Sequence, residues 1–207
     1  MNEGARVRLE GQVRELCAAG DYDGAATAVL RGYGPEIYGF LVAVQRSEAD
    51  ASDAFSDLAE AVWRGLPRFG WESTVRTWAY AVAHNVSRTR RRDRGRRERR
   101  SVNAGDSTLQ EIAQKVRTET MSFLRTDKKT RLQALRDALP EQDRMLLVLR
   151  VDRKLSWNEL ARVFSEHGED GALDEAMIAK EAARLRKRFQ LVKDRLREQA
   201  KRDGLIE

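Results

Sequence analysis

The chain has 207 residues, with 39 Lys or Arg against 33 Asp or Glu, a formal charge of +6 and a sequence pI near 9.7. This positive charge favours a polyanion as partner. Cys17 is the only cysteine, so an intramolecular disulfide is excluded. With only His84 and His167 beside this single thiol, a zinc site is excluded too, and we expect no metal and no cofactor. The absence of a signal-peptide core and of any run of about 20 apolar residues predicts a cytoplasmic protein with no membrane partner.

Helical spacing of Ala, Leu, Arg and Glu predominates along the chain, and prolines and alternating β-branched runs are few. We therefore predict an all-α fold. Because the middle of the chain is strongly polar, we predict two helical domains, residues 1–92 and 130–207, joined by a flexible Arg-rich linker at 93–129.

The N-terminal segment contains several helix signals. A first helix is predicted near Ala5–Ala19, with Gly20 as its stop. The following helical pattern is expected to break between Gly32 and Pro35, with Pro35 in the first turn of a new helix. Ser47 and Asp50 then form a capping pattern for the next helix.

That next helix carries an acidic ridge, which we define as Asp50, Asp53, Asp57 and Glu60, at steps of three, four and three. Such a ridge is commonly a solvated helix face. The alternative is a docking surface for a basic protein partner. Catalysis and metal binding are disfavoured, because no second ligand set or nucleophile lies at close spacing.

An aromatic loop leads into an arginine-ended helix over Phe69–Arg92. Ser73 or Thr74 can cap this helix. One face is an apolar stripe suited to packing, made of Trp78, Val82 and Val86. The other face is a polar stripe made of Tyr80, His84, Arg88 and Arg91, with Asn85 and Arg92 flanking it. An aromatic ring, an amide and several guanidiniums on one face suit nucleic acid, although Trp71 in the loop could instead plug the end of a helix bundle.

The middle of the chain has nine arginines among the thirteen residues 88–100, and this run cannot bury itself. It is either a plain spacer or a spacer that also contacts phosphates. Apolar residues beyond it predict a further helix of unsettled placement: Leu109, Ile112, Ala113 and Val116, with Phe123 and Leu124 as further candidates.

The C-terminal segment predicts a helix-turn-helix. Pro140 begins one helix, and Ser156 with Glu159 forms a capping box for another. The last helix, roughly Asp174–Lys201, has an apolar seam that could alone indicate a coiled coil: Ile178, Ala182, Leu185, Phe189, Val192 and Leu196. Its opposite, basic face contains Lys180, Arg184, Lys187 and Arg188. An acidic, Gly-rich insert at Glu166–Leu173 replaces the usual short turn.

Several segments resemble the extracytoplasmic-function sigma factors, the smallest class of bacterial RNA polymerase specificity subunit. Region two of that family is similar to the segments Gly34–Leu41, Glu48–Asp57 and Arg76–Arg92, and region four to LPEQDRMLLVLRVDRKLSWNELARVF. The departures are Ala79 and Tyr80 after the tryptophan, and Ser56 and Ala59 in the acidic helix. The resemblance covers roughly residues 25–92 and 130–197.

The resemblance implies two partners, core RNA polymerase and promoter DNA. Binding to the clamp coiled coil of the polymerase is implied for Asp50, Asp53 and Asp57. Contact with the non-template strand of the minus-ten element, with one base flipped into the loop, is implied for Phe69, Trp71, Tyr80, His84, Asn85, Arg88, Arg91 and Arg92. Contact with the minus-thirty-five element is implied for Lys180, Arg184, Lys187 and Arg188. Relatives are commonly held inactive by an anti-sigma protein, and the sequence identifies none here.

The sequence is compatible with three functions. The leading hypothesis is a non-enzymatic sigma factor that joins core polymerase and reads two promoter elements. The alternative is a helix-turn-helix regulator that binds a palindromic duplex without polymerase. A nucleic-acid enzyme is disfavoured, because its catalysts would have to come from scattered carboxylates.

Overall fold

The computed structural model describes residues 1–45, 47–93, 107–125, 131–165 and 173–206 of the chain. These residues form nine α-helices, and no strand occurs among them, which confirms the predicted all-α fold. In chain order the helices are α1 (Glu3–Ala18), α2 (Tyr22–Gln45), α3 (Glu48–Gly65), α4 (Val75–Asp93), α5 (Ser107–Arg125), α6 (Arg131–Asp137), α7 (Glu141–Leu147), α8 (Trp157–Phe164) and α9 (Glu175–Arg202). A 3-10 turn, Leu66–Arg68, follows α3, and a π-helical turn, Val148–Asp152, continues α7.

Helix ends in the N-terminal half follow the predicted capping residues. α1 stops before Gly20, which adopts the left-handed φ of +76° that turns the chain toward α2. Ser47 accepts a hydrogen bond from the N–H of Asp50 at 3.3 Å, at the start of α3. Thr74 accepts one from the N–H of Thr77 at 3.1 Å, at the start of α4. These short side chains satisfy N–H groups that the first turn of a helix leaves unpaired.

The predicted break between Gly32 and Pro35 is wrong, because α2 continues without interruption across both residues. Pro35 lies inside the helix, where it has no N–H to donate to the carbonyl four residues earlier. Burial outweighs this loss. Most apolar positions between Ala25 and Val44 are buried against α1, α3, α4 and α5. Tertiary packing therefore overrides the local proline signal.

Part of the predicted linker is a packed helix. α5 lies in the groove between α2 and α3. Among the side chains of α5 that the structure describes, the buried ones are Leu109, Ile112, Ala113 and Val116, as predicted. Gly34 of α2 permits this close approach, since a Cβ there would lie 3.2 Å from a methyl carbon of Val116. Arg117 donates to the backbone oxygen of Ser52 at 3.2 Å. The linker positions 94–106 and 126–129 lie outside the described residues.

The helices of the C-terminal half begin and pack as predicted. Pro140 directly precedes α7, and Ser156 with Glu159 makes the complete capping box of α8. α8 and α9 pack against each other. The seam of α9 is buried or partly buried at Ile178, Ala182, Leu185, Phe189, Val192 and Leu196. Of the predicted insert, residues 166–172 lie outside the described part of the chain.

The two predicted domains share one continuous core in this structure. α8 packs along α4, and α7 packs on α2, an arrangement that we call the closed arrangement. Arg144 of α7 is 3% exposed and donates to the carbonyl oxygens of Val44 at 2.6 Å and Asp137 at 3.0 Å. A cation is favourable at the carbonyl end of a helix, so Arg144 ties α7 to the last turn of α2.

Candidate nucleic-acid interface

An aromatic cluster shapes the loop between α3 and α4. The ring centre of Phe69 lies 4.8 Å from that of Trp71 and 4.9 Å from that of Trp78. Arg14 of α1 places its guanidinium carbon 4.8 Å from the centre of the Trp71 ring. Trp71 has a φ of 59°, a left-handed conformation that costs a residue with a side chain about 1–2 kcal/mol. Ring and cation contacts therefore offset local backbone strain.

Glu10 of α1 fixes the start of α4. Its carboxylate accepts hydrogen bonds from the N–H groups of Val75 at 2.7 Å and Arg76 at 3.1 Å, and from the hydroxyl of Tyr33 at 2.7 Å. A negative charge at this end of a helix is favourable. Burial, and then the hydrogen bond to Glu10, raise the pKa of Tyr33, so its hydroxyl remains a donor. The sequence does not reveal this role, because 65 residues separate Glu10 from Val75.

A cleft of about 400 Å³ lies between α1 and the aromatic loop. Its lining residues are Glu10, Gly11, Arg14, Trp71, Glu72, Ser73 and Thr74. Gly11 leaves one wall of the cleft open, since a Cβ there would meet no described atom within 4 Å. The volume falls in the range of small-ligand sites. An aromatic ring and a guanidinium are groups that stack on bases and pair with phosphates, so the cleft suits part of a nucleic-acid strand.

The polar stripe of α4 is largely covered in the closed arrangement. Tyr80 is fully buried, and His84 is 5% exposed, with its ring centre 5.0 Å from that of Phe164 in α8. Asn85 and Arg88 remain partly exposed. Outside the described side chains lie those of Arg91 and Arg92. Contact between DNA and His84 therefore requires α8 to move off α4, whereas Tyr80 packs against Phe40 of α2.

Tyr80 is poorly matched to its buried surroundings. Its ring packs edge-on against Phe40 at 5.6 Å, with the guanidinium of Arg76 5.3 Å from the ring centre. Burial raises the pKa of its hydroxyl, which stays neutral. Among the described residues that hydroxyl has no hydrogen-bond partner. A buried polar group without a partner costs about 1–3 kcal/mol, so the closed arrangement does not by itself favour a hydroxyl here.

Polar contacts also hold the two halves together around Arg76. Its guanidinium donates to Glu36 at 2.6 Å and to the carbonyl oxygen of Arg153 at 3.0 Å. Burial acts to lower the pKa of Arg76, but the hydrogen bond and charge of Glu36 outweigh it and the pKa is raised. The hydroxyl of Thr77 donates to Glu159 of α8 at 3.2 Å. A charged network therefore lies beside the apolar contact of α8 with α4.

The acidic ridge of α3 is partly neutralised by α4. Arg90 is 8% exposed and forms ion pairs with Asp53, at 2.5 Å, and with Asp57. The side chains retain 65% exposure at Asp53 and 27% at Asp57, and Asp50 is partly exposed. The ridge thus presents carboxylates to solvent with less net charge than the sequence indicates. Arg90 was missed by the sequence analysis, because it lies 37 residues from Asp53.

The predicted basic face of α9 divides into two parts. Its exposed members are Lys180, Arg184 and Lys187. Arg188 instead turns toward α7, where it donates to Asp143 at 2.7 Å and Gln142 at 2.9 Å. Asp143 also accepts a hydrogen bond from Arg195 at 3.0 Å. The exposed three suit phosphate or base contact, whereas Arg188 contributes an ion pair between helices.

Comparison with known proteins adds one finding. Residues 29–97, a third of the chain, match the family model described as Sigma-70 region 2, and this segment spans most of α2, all of α3 and α4, and the aromatic loop. The chain has no match among the curated proteins. In the described part of the chain, no helix combines the length and apolar character needed to cross a bilayer. The region 2 match supports a sigma-70 family factor and indicates, in general terms, the function of an RNA polymerase sigma factor.

Proposed function

We propose that this protein is a sigma factor of the extracytoplasmic-function class, which joins core RNA polymerase, reads the minus-ten and minus-thirty-five promoter elements and helps to open the DNA. In this proposal it works in the cytoplasm and has no active site of its own. The observation that carries the proposal is the aromatic loop and α4 lying beside the acidic helix α3, all within the segment that matches Sigma-70 region 2.

Docking to the polymerase is proposed for the acidic ridge. The exposed carboxylate of Asp53 and the partly exposed one of Asp50 suit a basic partner surface, and both lie on a helix whose other face is buried. Arg90 competes for Asp53 and Asp57, so a partner must either share these carboxylates with Arg90 or replace it. The Asp53 side chain is 65% exposed, so a partner can reach its carboxylate beside Arg90.

Reading of the minus-ten element is proposed for the loop and the polar stripe. Trp71 and Asn85 are accessible in the closed arrangement, whereas Tyr80 and His84 are not. Contact of the strand with His84 therefore includes a shift of α8 away from α4, and contact with Tyr80 requires its ring to leave Phe40 of α2. Exchange of these protein contacts for contacts with an unwound base would give the hydroxyl of Tyr80 a partner, which it lacks among the described residues.

Reading of the minus-thirty-five element is proposed for α9, as the second helix of a helix-turn-helix. The exposed positions Lys180, Arg184 and Lys187 support this role, and Arg188 would first have to leave Asp143. In the proposed division of the chain, residues 1–92 act on the minus-ten element and residues 130–207 on the minus-thirty-five element. A partner that holds the factor inactive, an anti-sigma protein, is also compatible with this design.

The test is reconstitution of purified chain with core RNA polymerase, followed by selection of bound DNA fragments by sequencing and run-off transcription from the selected fragments. We expect binding to core and specific transcripts. Absence of both would contradict the proposal. Tight binding of the chain alone to a palindromic duplex would favour the helix-turn-helix regulator instead, and DNA cleavage with magnesium would favour an enzyme.

A further inference from the structure

A second cavity, separate from the cleft beside the aromatic loop, lies where the turn between α1 and α2 faces the end of α3. Its volume of about 490 Å³ falls in the range of small-ligand sites. One wall is the turn itself, residues 20–23. The other wall comes from the last turn of α3 and the 3-10 turn, and consists of Trp63, Arg64, Pro67 and Arg68. Neither wall has a part in the proposed sigma function.

The two walls of this cavity carry opposite charges that do not meet. Asp21 and Asp23 lie on the turn, and Arg64 and Arg68 lie on the facing wall. Arg64 pairs with Glu60 of its own helix at 2.6 Å. Among the described residues, no ion pair joins the two walls, and Arg68 has no partner. The cavity therefore offers a ligand two carboxylates on one side and an unpaired guanidinium on the other.

Aromatic surface and fixed spacing complete the cavity. Tyr22 and Trp63, one on each wall, are partly buried and pack on the hydrophobic core. The indole N–H of Trp63 donates to one carboxylate oxygen of Asp23 at 2.6 Å, which ties the two walls together. Asp21 uses one oxygen to accept from the N–H of Gly24 at 2.8 Å. The second oxygen of each carboxylate has no donor within the described part of the chain.

The spacing of these groups selects the class of ligand. A cavity of this volume is roughly 8 Å across, so a ligand that reaches both walls must carry its anionic group and its hydrogen-bond donors at opposite ends. A free amino acid carries both charges on one carbon atom and reaches only one wall. A purine nucleotide reaches both, because the phosphate lies at one end and the amino group of the base at the other. Its planar base can also stack on aromatic rings.

We propose that this cavity binds a free purine nucleotide. Arg68 pairs with the phosphate, a group whose geometry the guanidinium fork matches. Asp21 and Asp23 accept from the amino-bearing edge of the base, since ionised carboxylates only accept hydrogen bonds. Tyr22 and Trp63 contact the faces of the base. No residue of this site is assigned to polymerase or promoter contact, so the inference goes beyond the proposed function and stands without it.

Calorimetric titration of the full chain, without polymerase, tests the proposal with guanosine 5′-monophosphate as the probe. We expect saturable binding of this nucleotide, and binding at least tenfold weaker for guanosine and for inorganic phosphate, because each of them reaches only one wall. Absence of nucleotide binding at millimolar concentration, or equal binding of guanosine or inorganic phosphate, would overturn the inference. So would tighter binding of free tyrosine, or binding of a 5′-phosphorylated oligonucleotide without binding of the mononucleotide.

Arg68→Gln removes the proposed phosphate partner, and Arg31→Gln is its matched control. Arg31 is also exposed and carries the same charge, but it lies on α2 outside the cavity. We expect the dissociation constant for guanosine 5′-monophosphate to rise about tenfold in Arg68→Gln, because hydrogen bonds between charged groups are the stronger ones. Arg31→Gln should bind as the unaltered chain does. Equal affinities of the two variants would overturn the inference.

Two further readouts report on the other groups of the site. Asp21→Asn combined with Asp23→Asn keeps the oxygens that accept from Gly24 and Trp63, and it exchanges the remaining acceptors for donors. Preference for guanosine 5′-monophosphate over inosine 5′-monophosphate, which lacks the amino group, should then be lost. The NMR signal of the Trp63 indole N–H, assigned with Trp63→Phe, should shift as the nucleotide binds. An unchanged preference or a constant signal would contradict the proposed site.

Discussion

Removal of the Tyr80 hydroxyl tests whether α4 acts on DNA in the closed arrangement or only after that arrangement opens. Tyr80→Phe removes one oxygen and leaves the ring packed against Phe40. In the isolated chain that oxygen is buried without a partner among the described residues, at a cost of about 1–3 kcal/mol. We therefore expect the free energy of unfolding to rise by about 1 kcal/mol, which corresponds to a melting temperature higher by about 2–4 °C.

Tyr38→Phe is the matched control for this measurement. Tyr38 is also fully buried, but its hydroxyl lies 3.0 Å from the hydroxyl of Ser52. Removal of a satisfied hydrogen bond should lower the free energy of unfolding by about 1 kcal/mol. Urea titration of both variants, with equal slopes against urea concentration, gives the comparison.

The same Tyr80→Phe variant should be weaker in transcription. If the hydroxyl finds its partner on the unwound strand, its loss removes about 1 kcal/mol from the open complex, a reduction of about fivefold. Stability and promoter opening then change in opposite directions. A less stable Tyr80→Phe chain that opens promoters normally would refute the reasoning.

Three further predictions concern the charges and the buried tyrosines. Arg90→Gln should lower the free energy of unfolding by roughly 1–2 kcal/mol and strengthen binding to core polymerase, because Asp53 and Asp57 lose their internal partner; weaker core binding, measured by fluorescence anisotropy, would argue against docking on the ridge. Arg144→Met should loosen the contact of α7 with α2 and raise hydrogen exchange along α4, whereas unchanged exchange would show that Arg144 does not hold the closed arrangement. Burial raises the pKa of Tyr80 above its usual 10.0, so the folded chain holds this proton more tightly than the unfolded chain does and loses stability as the pH rises above 10; urea titrations should show a shallower alkaline decline for Tyr80→Phe than for the unaltered chain.

Local signals in the sequence predicted most helix ends and core faces. Ser47, Thr74 and Ser156 cap the helices they precede, because capping depends on residues within one turn. The seam of α9 is buried for a similar reason, since helical periodicity alone defines an apolar face. Pro35 is the exception, because the core around α2 stabilises a helix that the local sequence disfavours.

The composition of the candidate site could be predicted only in part. The aromatic loop and polar stripe are visible as residue types, but Tyr80 is buried against Phe40 of α2, and His84 packs against Phe164 of α8, which lies some 80 residues further along the chain. Arg90 and Arg14 were missed for the same reason. Charged residues on a helix are usually solvated, and only the fold shows that these two reach Asp53 and Trp71.

The central claim is that the aromatic loop and α4 read an unwound promoter strand inside a polymerase, and two substitutions test it most directly. Trp71→Ala and Asn85→Ala are introduced into the full chain, and opening of a selected promoter is measured in holoenzyme by permanganate reactivity, beside core binding and thermal unfolding. We expect promoter opening to fall for both variants, while both still bind core polymerase and unfold cooperatively. Normal opening by both variants, or a loss of opening explained entirely by unfolding of the chain, would contradict it.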